Sequence, residues 1–539
     1  MLSAAPDAVF YNGKIITVDE ASPLSEAFAV KGDRFLAVGS NTEVRALAAP
    51  ATRLIDLRGH TVVPGLMDNH NHQYHVALLT LRGVDVQKVP SLAAMLERLR
   101  RAAMAGPPGA TIFTTTGWDA DVFPEKRAPT RQELDNVAAD RPIVVYASRS
   151  RLHVNTAALK MLGITRGSDV VEKVIVGKDA AGEPDGILSG SPANVLNLSA
   201  KVVPPPTLEE KKALIVKIQA QQHAMGLTGI RELQIHPDVM RAYFELWRDR
   251  ALTVRTSVGL ELNAGEESRL EPMLAAWGVG PGFGDEWLRL DGIAEYNPGE
   301  QVRQPYADRD GKDIGELRVS EEQFRNAIKT MNRYGWRPAI HITGDRTLDL
   351  VLDAYEAADR ERSIRGRRWI VEHIPLAHAD QMDRMKRLGV VVSAQFQPYA
   401  GAGNMVRRWG KERTERALPM RELLDHGLVV SGGSDWPGAP NNPFVNIYYY
   451  VTRTTRDMGA IGLQQKISRQ EALRVETLNN AYLTFEEGIK GSIEPGKLAD
   501  FVILSDDLLT VPEEKILTIQ ALATYVGGRQ VYSRPGSRF

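Results

Sequence analysis

The stretch of sequence on which the fold depends is Val62-Val63-Pro64-Gly65-Leu66-Met67-Asp68-Asn69-His70-Asn71-His72. Its apolar beginning predicts a buried β-strand, and its polar residues come where that strand should end. Alternate residues of a strand face the same side, so His70 and His72 can both reach one metal ion. By chance a His-x-His pair is more often a surface feature, so the pair needs support from the rest of the chain.

Two further histidines end apolar runs in the same manner. His341 follows Pro338-Ala339-Ile340, and His373 follows Trp369-Ile370-Val371-Glu372. One strand-terminal histidine is more often a hydrogen-bonded structural residue, but four of the chain's eleven histidines share this setting. We therefore predict that these four bind metal. The histidines interpreted as structural or exposed are His60, His75, His223, His236, His378 and His426.

Asp435 is the acidic residue that completes such a site. It follows Leu428–Ser434, a predicted late strand that ends in small residues. An Asx turn or a helix cap is the more common role for an aspartate in this setting, just before Trp436-Pro437. Together with four candidate histidine ligands, however, Asp435 is interpreted as part of the metal site.

The middle of the chain repeats helix-then-strand units. Thr207 to Met225 predicts a helix with a capping box, and the strand-like Thr228-Gly229-Ile230-Arg231 follows it. This alternation indicates a parallel sheet with crossover helices. With ligands at the carboxyl ends of the strands, it predicts an α/β fold, a (β/α)₈ TIM-like barrel, over residues 63–486. The chain is longer than a barrel needs, so residues 84–200 are predicted to be an insertion.

Both ends of the chain are rich in short strands separated by turns. Asn12-Gly13 between two apolar runs predicts a hairpin, and Gly32-Asp33 and Gly527-Gly528 separate further strand pairs. Neither end is long enough for a domain of its own. We therefore predict one small β-sandwich domain formed from both chain termini, residues 1–62 and 487–539.

Composition excludes several classes of protein. The 66 basic and 67 acidic side chains leave a net charge of -1, which favours neither nucleic acid nor an acidic membrane as partner. The chain has no cysteine, so disulfides and thiolate ligands are excluded and a metal must be bound by His, Asp or Glu. The beginning of the chain shows no signal peptide, and no apolar run approaches the ~20 residues of a membrane helix. These features predict a cytoplasmic protein.

The motifs resemble those of the amidohydrolase superfamily. Pro64 to His72 is similar to its Pro-Gly-hydrophobic-hydrophobic-Asp-x-His-x-His signature, and Tyr11–Ile16 and Gly491–Phe501 resemble its opening hairpin and its return to the sandwich. Within the superfamily the chain is most similar to the YtcJ-like branch, amidohydrolase family 3, which includes N-substituted formamide deformylase. The stretches that carry this closer resemblance are Gly117-Trp118 with Leu134-Asp135 and Arg141-Pro142, His153-Val154-Asn155 with Ala158-Leu159, His341 to Asp345, and Ser434 to Pro437.

The resemblance implies a role for each matching residue. His70 and His72 would be first-strand metal ligands, with His341 and His373 as the fifth- and sixth-strand ligands. Asp435 would bind metal and move the proton. His153 would lie near the substrate carbonyl or near the tail of the substrate. The implied cofactor is one or two divalent metal ions, most simply Zn²⁺, and a homodimer is suggested by the resemblance alone.

The chain departs from the family at the fourth strand. Many relatives have a carboxylated lysine there that bridges two metal ions, but the matching position here is Ala294. Glu295 could replace the lysine if a bulge shifts the register by one residue, although strand alternation argues against it. Glu232 is a second candidate bridge, and either acid could instead pair with a nearby arginine. A one-metal site and an uneven two-metal site therefore both stay open.

The function predicted from these features is hydrolysis of a non-peptide carbon–nitrogen bond in a small molecule by metal-activated water. Aromatic residues in or beside the segments predicted to surround the site favour an apolar or aromatic substrate, although each is individually more often a packing residue. They are Trp118, Tyr74, Phe396, Tyr399 and Trp436. Ester or lactone hydrolysis and decarboxylation on the same metal site are alternatives. A non-catalytic scaffold is a further alternative, which the complete ligand set disfavours.

Overall fold

The computed structural model describes residues 5–148, 150–190, 192–436 and 442–539. The chain divides into two units, one formed by residues up to Gln73 and from Ile218 to Phe539, the other by Tyr74–Lys217. The predicted insertion at 84–200 lies within the second unit, while the residue bounds predicted for the barrel and the sandwich stay a prediction. Within the described part of the chain, no helix is long and apolar enough to cross a membrane.

The first unit begins with strands that belong to two sheets. In chain order they are β1 (Ala8–Tyr11), β2 (Lys14–Ile16), β3 (Leu24–Ser25), β4 (Ala27–Lys31), β5 (Arg34–Gly39), β6 (Arg53–Asp56) and β7 (Thr61–Pro64), with the helix α1 (Asn41–Arg45) before β6. One sheet has the order β5-β4-β1-β6, and β2, β3 and β7 belong to the other. The strands β4 and β5 form an antiparallel pair, which confirms the turn predicted at Gly32-Asp33.

The hairpin predicted at Asn12-Gly13 is wrong. The strand β1 pairs with β4 on one side and with β6 on the other, so its backbone hydrogen bonds are already used on both edges. The strand β2 pairs instead with β3 and β7. The Asn12-Gly13 turn therefore carries the chain from one sheet to the other, because β1 has no free edge for its sequence neighbour.

The strand β8 (Leu66–Asn71) follows, and it is the first strand of the barrel. The second unit contains a mixed sheet of order β12-β13-β14-β11-β10-β9. Its strands are β9 (Ile112–Phe113), β10 (Ile143–Ser148), β11 (Arg151–Val154), β12 (Val170–Val171), β13 (Val174–Lys178) and β14 (Pro184–Ser189). The helices from residue 73 to residue 224 are α2 (Gln73–Thr80), α3 (Leu92–Ala105), α4 (Arg131–Val137), α5 (Thr156–Met161), α6 (Pro192–Ser199) and α7 (Leu208–Ala224). The capping box predicted for α7 is confirmed, since Glu210 N donates to Thr207 Oγ1 and Thr207 N to Glu210 Oε2.

The remaining barrel strands alternate with helices. The strands up to the end of the barrel are β15 (Leu227–Ile235), β16 (Arg255–Leu260), β17 (Leu288–Tyr296), β18 (Gly299–Gln301), β19 (Gly315–Leu317), β20 (Pro338–Ile342), β21 (Ile370–His373), β22 (Val391–Gln395) and β23 (Val430–Gly433). The helices are α8 (Pro237–Arg248), α9 (Glu267–Trp277), α10 (Glu321–Arg333), α11 (Asp345–Glu361), α12 (Ala379–Leu388), α13 (Gln397–Trp409), α14 (Lys411–Glu415) and α15 (Met420–Asp425). The strands β18 and β19 pair only with each other and form a separate hairpin.

Eight parallel strands form one sheet in the order β8-β15-β16-β17-β20-β21-β22-β23. The sheet closes on itself just beyond β23, where Asp435 N donates to the carbonyl oxygen of His70 at 2.8 Å. His72 N donates in turn to the carbonyl oxygen of Trp436 at 3.2 Å. The predicted (β/α)₈ barrel is thereby confirmed, and its closure brings the first and the last strand together at their carboxyl ends.

The end of the chain completes the sandwich. After α16 (Pro443–Thr452), α17 (Arg469–Val475) and α18 (Leu478–Leu483) and the short pair β24 (Thr454–Thr455) and β25 (Gly459–Ala460), the strands are β26 (Phe501–Leu504), β27 (Ala521–Val526) and β28 (Arg529–Ser533). They extend the second sheet to the order β28-β27-β26-β7-β2-β3. Aromatic rings from both ends of the chain pack between the sheets, with ring centroids 4.8 Å apart for Phe28 and Phe501. A sandwich formed from both termini is therefore confirmed.

A buried ion pair connects the barrel to the sandwich. Asp500, directly before β26, accepts hydrogen bonds from Arg255 Nε at 2.7 Å and Arg255 Nη2 at 3.1 Å. The side chains of Arg255 and Asp500 are only 1% and 6% exposed. Gly527 N also donates to Asp500 Oδ1, at 2.7 Å. The pair is therefore well satisfied, and loss of one partner would leave the other charge buried alone.

We expect Asp500→Asn to destabilise the protein by about 3–5 kcal/mol, because the Arg255 guanidinium would lose its counter-charge. The unfolding midpoint in urea, followed by tryptophan fluorescence, measures the effect. Glu97→Gln serves as control, because Glu97 pairs with Arg100 at an exposed site where both side chains are more than 40% exposed. We expect the control to leave the midpoint unchanged. Equal midpoints for Asp500→Asn and the unsubstituted protein would contradict the prediction.

Candidate metal centre

His70 and His72 stand at the carboxyl end of β8, where every residue of the strand is buried. His70 Nδ1 lies 2.8 Å from Glu372 Oε2. Among the residues that the structure describes, His70 Nε2 has no hydrogen-bond partner. It faces Glu295 Oε2 at 3.5 Å and Asp435 Oδ1 at 3.6 Å. A buried nitrogen that faces two carboxylate oxygens beyond hydrogen-bond distance suits a cation between them.

His341 and His373 form the second histidine pair, on the adjacent strands β20 and β21. His373 Nε2 lies 3.0 Å from His341 Nδ1, and the ring centroids are 4.5 Å apart. The backbone of His373 is left-handed, with φ 68°. Such a conformation is uncommon outside glycine and is found where the surrounding structure over-determines it, often at functional sites.

Glu295 lies between the two histidine pairs. Its Oε1 is 2.7 Å from His373 Nε2 and also contacts His341 Nδ1. Its Oε2 is 3.5 Å from His70 Nε2 and 3.8 Å from His72 Nε2. One carboxylate therefore presents one oxygen to each pair, which is the arrangement expected of a group that bridges two cations.

A bulge accounts for the position of Glu295. The pairing of β17 with β20 shifts by one residue between Ile293 and Tyr296. Because of this bulge, the alternation of side chains along β17 does not argue against Glu295 in the position of the family's lysine. The proposed arginine partner is also wrong for this residue, since within the described residues the ion-pair partners of Glu295 are histidines. Glu232, the other candidate bridge, accepts a hydrogen bond from Gln73 N at 2.8 Å, and its role as a bridge stays a prediction.

Asp435 follows β23 and completes the cluster. Its Oδ1 is 3.4 Å from His72 Nε2 and 3.6 Å from His70 Nε2, and Gln397 Nε2 donates to its Oδ2 at 3.3 Å. Like His373, it has a left-handed backbone, with φ 52°. The cluster contains three overlapping groups of three residues, and within each group the ligand atoms lie within 4.8 Å of one another. They are His70, His373 and Asp435; His70, His72 and Glu295; and Glu295, His341 and His373.

The charges of the cluster offset one another. Burial would raise the pKa of Glu295, but the charges of His341, His70 and His373 hold it well below its usual range. Burial would lower the pKa of His70, and the carboxylates of Glu295 and Glu372 instead raise it well above its usual value. For Asp435 the hydrogen bond with His72 and the charge of His70 outweigh burial and lower the pKa. Protons and a divalent cation would therefore compete for the same nitrogens.

Three predicted residues belong to the second unit, and their roles stay predictions. His153 lies on β11 with Nδ1 3.1 Å from the carbonyl oxygen of Pro129, and burial lowers its pKa. Trp118 is buried, its indole N–H donates to the carbonyl oxygen of Tyr146 at 2.9 Å, and its ring stacks on Phe123. Tyr74 is buried near the beginning of α2.

Trp436 belongs to the first unit, beside Asp435. It is partly exposed, and its backbone N–H donates to Ser434 Oγ at 3.1 Å. Pro437, the last residue of the Ser434–Pro437 motif, lies outside the described residues. A contact of Trp436 with substrate stays a prediction.

Sequence reasoning missed two residues that touch the cluster. Gln397, the first residue of α13, has its Nε2 2.7 Å from His373 Nδ1 as well as near Asp435. Glu372 binds His70. Both could have been noticed, because Gln397 follows β22 as the candidate ligands follow their strands, and Glu372 immediately precedes His373.

Known proteins are similar to this chain over nearly its whole length. The model of the amidohydrolase family matches residues 53–532. N-substituted formamide deformylase from Arthrobacter pascens is 28% identical over 98% of this chain and 99% of its own. The YtcJ amidohydrolase of Bacillus subtilis is 25% identical, with the same two coverages. The crystal structure of a metal-dependent hydrolase from Pyrococcus furiosus is 26% identical, covers 93% of this chain and 100% of its own, and superimposes with a TM-score of 0.74. The chain therefore belongs to the amidohydrolase family and is a metal-dependent hydrolase of that family.

Proposed function

We propose that this chain hydrolyses an amide-type carbon–nitrogen bond, other than a peptide bond, in a small apolar or aromatic molecule. The observation that carries the proposal is the position of Glu295 between two histidine pairs, with Asp435 beside the first pair. The similarity to N-substituted formamide deformylase supports an N-substituted amide as the substrate class.

The site would hold two divalent cations. His70, His72 and Asp435 would bind one and His341 and His373 the other, with Glu295 facing both. Histidine and carboxylate donors accept Zn²⁺, which we propose as the bound ion, and also Mn²⁺, Fe²⁺, Co²⁺ or Ni²⁺, so geometry and supply decide which ion is bound. A bound divalent cation lowers the pKa of water to about 7 and polarises a carbonyl group.

Asp435 would act as the proton carrier. Its carboxylate is held at Oδ2 by Gln397, while Oδ1 faces the two first-strand histidines. It would accept the proton of the attacking water and return it to the leaving nitrogen. His153 would help to stabilise the oxyanion, and Trp118, Tyr74 and Trp436 would contact the substrate. A cytoplasmic location, a homodimer and the absence of nucleic-acid and membrane partners stay predictions from the sequence.

The metal content of the purified protein tests the site. We expect about two equivalents of metal per chain by elemental analysis, and a loss of at least one equivalent in His70→Ala, because His70 supplies the buried nitrogen facing both acids. His236→Ala is the matched control, since His236 lies directly before α8 and its side chain is 64% exposed. Protein that stays free of metal after reconstitution with Zn²⁺, Mn²⁺, Fe²⁺, Co²⁺ and Ni²⁺ would contradict the proposal.

The reaction class is tested with a panel of substrates on the metal-loaded protein. The panel contains N-substituted formamides and acetamides with alkyl or aromatic groups, together with matched esters, lactones and carboxylated aromatics. The proposal expects turnover of amides, and preference for larger apolar N-substituents. Turnover of esters, lactones or carboxylates without any turnover of amides would contradict it.

A further inference from the structure

A chain of buried charges runs from the metal centre into the interior of the barrel. Glu372 Oε2 is 2.8 Å from His70 Nδ1, and its Oε1 accepts a hydrogen bond from Arg231 Nη1 at 2.6 Å. Arg231 Nε donates to Asp291 Oδ2 at 2.7 Å, and Asp291 also pairs with Arg337. Glu372, Arg231 and Asp291 are each 3% exposed or less. Barrel interiors are ordinarily filled by branched aliphatic side chains. A row of charged residues in this place therefore indicates a specific role for them.

The hydrogen bonds of Glu372 determine which nitrogen of His70 carries the proton. A guanidinium group only donates, so Oε1 is an acceptor toward Arg231. An ionised carboxylate has no proton to give, so Oε2 accepts from His70 Nδ1 as well. A metal ion binds the neutral imidazole, which has one N–H group, and with that group at Nδ1 the lone pair is at Nε2. The nitrogen with the lone pair is the one that faces Glu295 and Asp435.

We infer that Glu372 is a positioning residue, which sets the tautomer of His70 and thereby the affinity of the centre for its metal. The inference rests on the proposed metal-binding function of His70. Arg231 contributes to this positioning, because it donates a hydrogen bond to the Glu372 oxygen that does not face His70. Arg231 is itself fixed by the hydrogen bonds that it donates to Asp291 and to the carbonyl oxygen of Asn69. Carboxylate partners of this kind commonly contribute 10–100-fold to metal affinity.

The substitution Glu372→Gln keeps the shape of the side chain but replaces one of its two acceptor oxygens with a donor NH₂ group. The amide oxygen must face Arg231, because Arg231 has only protons to offer. The amide NH₂ then faces His70 Nδ1, which has to accept rather than donate. The proton of a neutral His70 would move to Nε2 and block the nitrogen that faces the two acids. Size and packing are preserved, so the variant reverses one hydrogen bond and little else.

Asp291→Asn is the matched control. It also changes a buried carboxylate to an amide and also touches Arg231, but Asp291 makes no contact with His70 among the described interactions. If buried negative charge alone supported the metal, the two variants would weaken binding equally. If the tautomer of His70 is decisive, Glu372→Gln weakens binding much more.

The experiment measures the Zn²⁺ dissociation constant by competition with a chromophoric chelator, beside the thermal midpoint of each variant. We expect Glu372→Gln to bind at least one Zn²⁺ equivalent about 10–100-fold less tightly than the unsubstituted protein, and Asp291→Asn to differ from the unsubstituted protein by only a few-fold. Unchanged affinity in Glu372→Gln, or equal losses in both variants, would overturn the inference. If the unsubstituted protein binds no Zn²⁺, the proposed function fails instead, so the two failures are distinguishable.

A second measurement needs no variant at Glu372. In zinc-loaded protein labelled with ¹⁵N at histidine, the signal of His70 is assigned by its absence from His70→Ala. We expect its ring proton on Nδ1, shifted downfield by the short bond to Glu372. A proton on Nε2, or an Nδ1 proton in rapid exchange with water, would overturn the inference even if Glu372→Gln does not fold.

Discussion

Asp435→Asn is expected to lower kcat/KM for an amide substrate by about 10²–10⁴-fold, the usual contribution of a positioned general acid–base group. An amide cannot accept the proton of the attacking water or return it to the leaving nitrogen. The side chain otherwise keeps its shape, and its contact with Gln397 is retained through the amide oxygen. Because four histidines and Glu295 remain, we expect most of the metal to remain bound.

Two measurements separate this catalytic role from loss of metal. Initial rates of amide hydrolysis are compared at equal metal occupancy, which elemental analysis establishes for each preparation. Asp349→Asn is the control, since Asp349 lies on the outer helix α11 and pairs with Arg303. We expect the control to hydrolyse the amide at the unsubstituted rate. Activity of a metal-loaded Asp435→Asn protein within about tenfold of the unsubstituted protein would exclude Asp435 as the proton carrier.

Glu295→Gln is expected to remove about one of two metal equivalents and to lower amide hydrolysis by at least about 100-fold. The carboxylate presents one oxygen to His341 and His373 and the other toward His70 and His72. A neutral amide offers one good ligand oxygen, so it can serve one histidine pair only. The histidines would also lose the negative charge that stabilises a doubly charged cation between them.

Metal stoichiometry and Zn²⁺ affinity measure the effect of Glu295→Gln. Glu232→Gln is the control, because Glu232 is a comparably buried acid of the barrel that accepts a hydrogen bond from the backbone N–H of Gln73. We expect Glu232→Gln to keep both equivalents. Two tightly bound equivalents in Glu295→Gln would contradict a bridging role. One equivalent in both Glu295→Gln and the unsubstituted protein would indicate a single-metal site.

The parts of the fold that follow from local pattern could be predicted from the sequence. The helix α7 and its cap at Thr207, the strands β15, β20 and β21, and the turn between β4 and β5 all lie where periodicity and turn residues indicate. The absence of a hairpin at Asn12-Gly13 could not be predicted, because a turn residue pair specifies a local bend but not which edge of a strand is free. In this chain β6, which is distant in sequence, occupies the edge of β1 that β2 would have needed.

The four histidines and Asp435 were foreseeable because each follows an apolar strand, and parallel strands present their carboxyl ends at one edge of the barrel. Glu295 was foreseeable only as an alternative. Alternation along β17 is a local rule, whereas the bulge that reverses it depends on the register between β17 and β20. The pattern of residues within β17 does not indicate its register with β20.

The sequence by itself therefore determined which residue types form the cluster, the strands that carry them and the end of the barrel at which they meet. Tertiary structure alone decided which acid faces both histidine pairs and which tautomer of His70 is favoured. The physical reason is the range of the interactions. Apolar periodicity acts over a few residues, but the bonds from Glu295 to His373 and from Glu372 to His70 join strands that only barrel closure brings within hydrogen-bond distance.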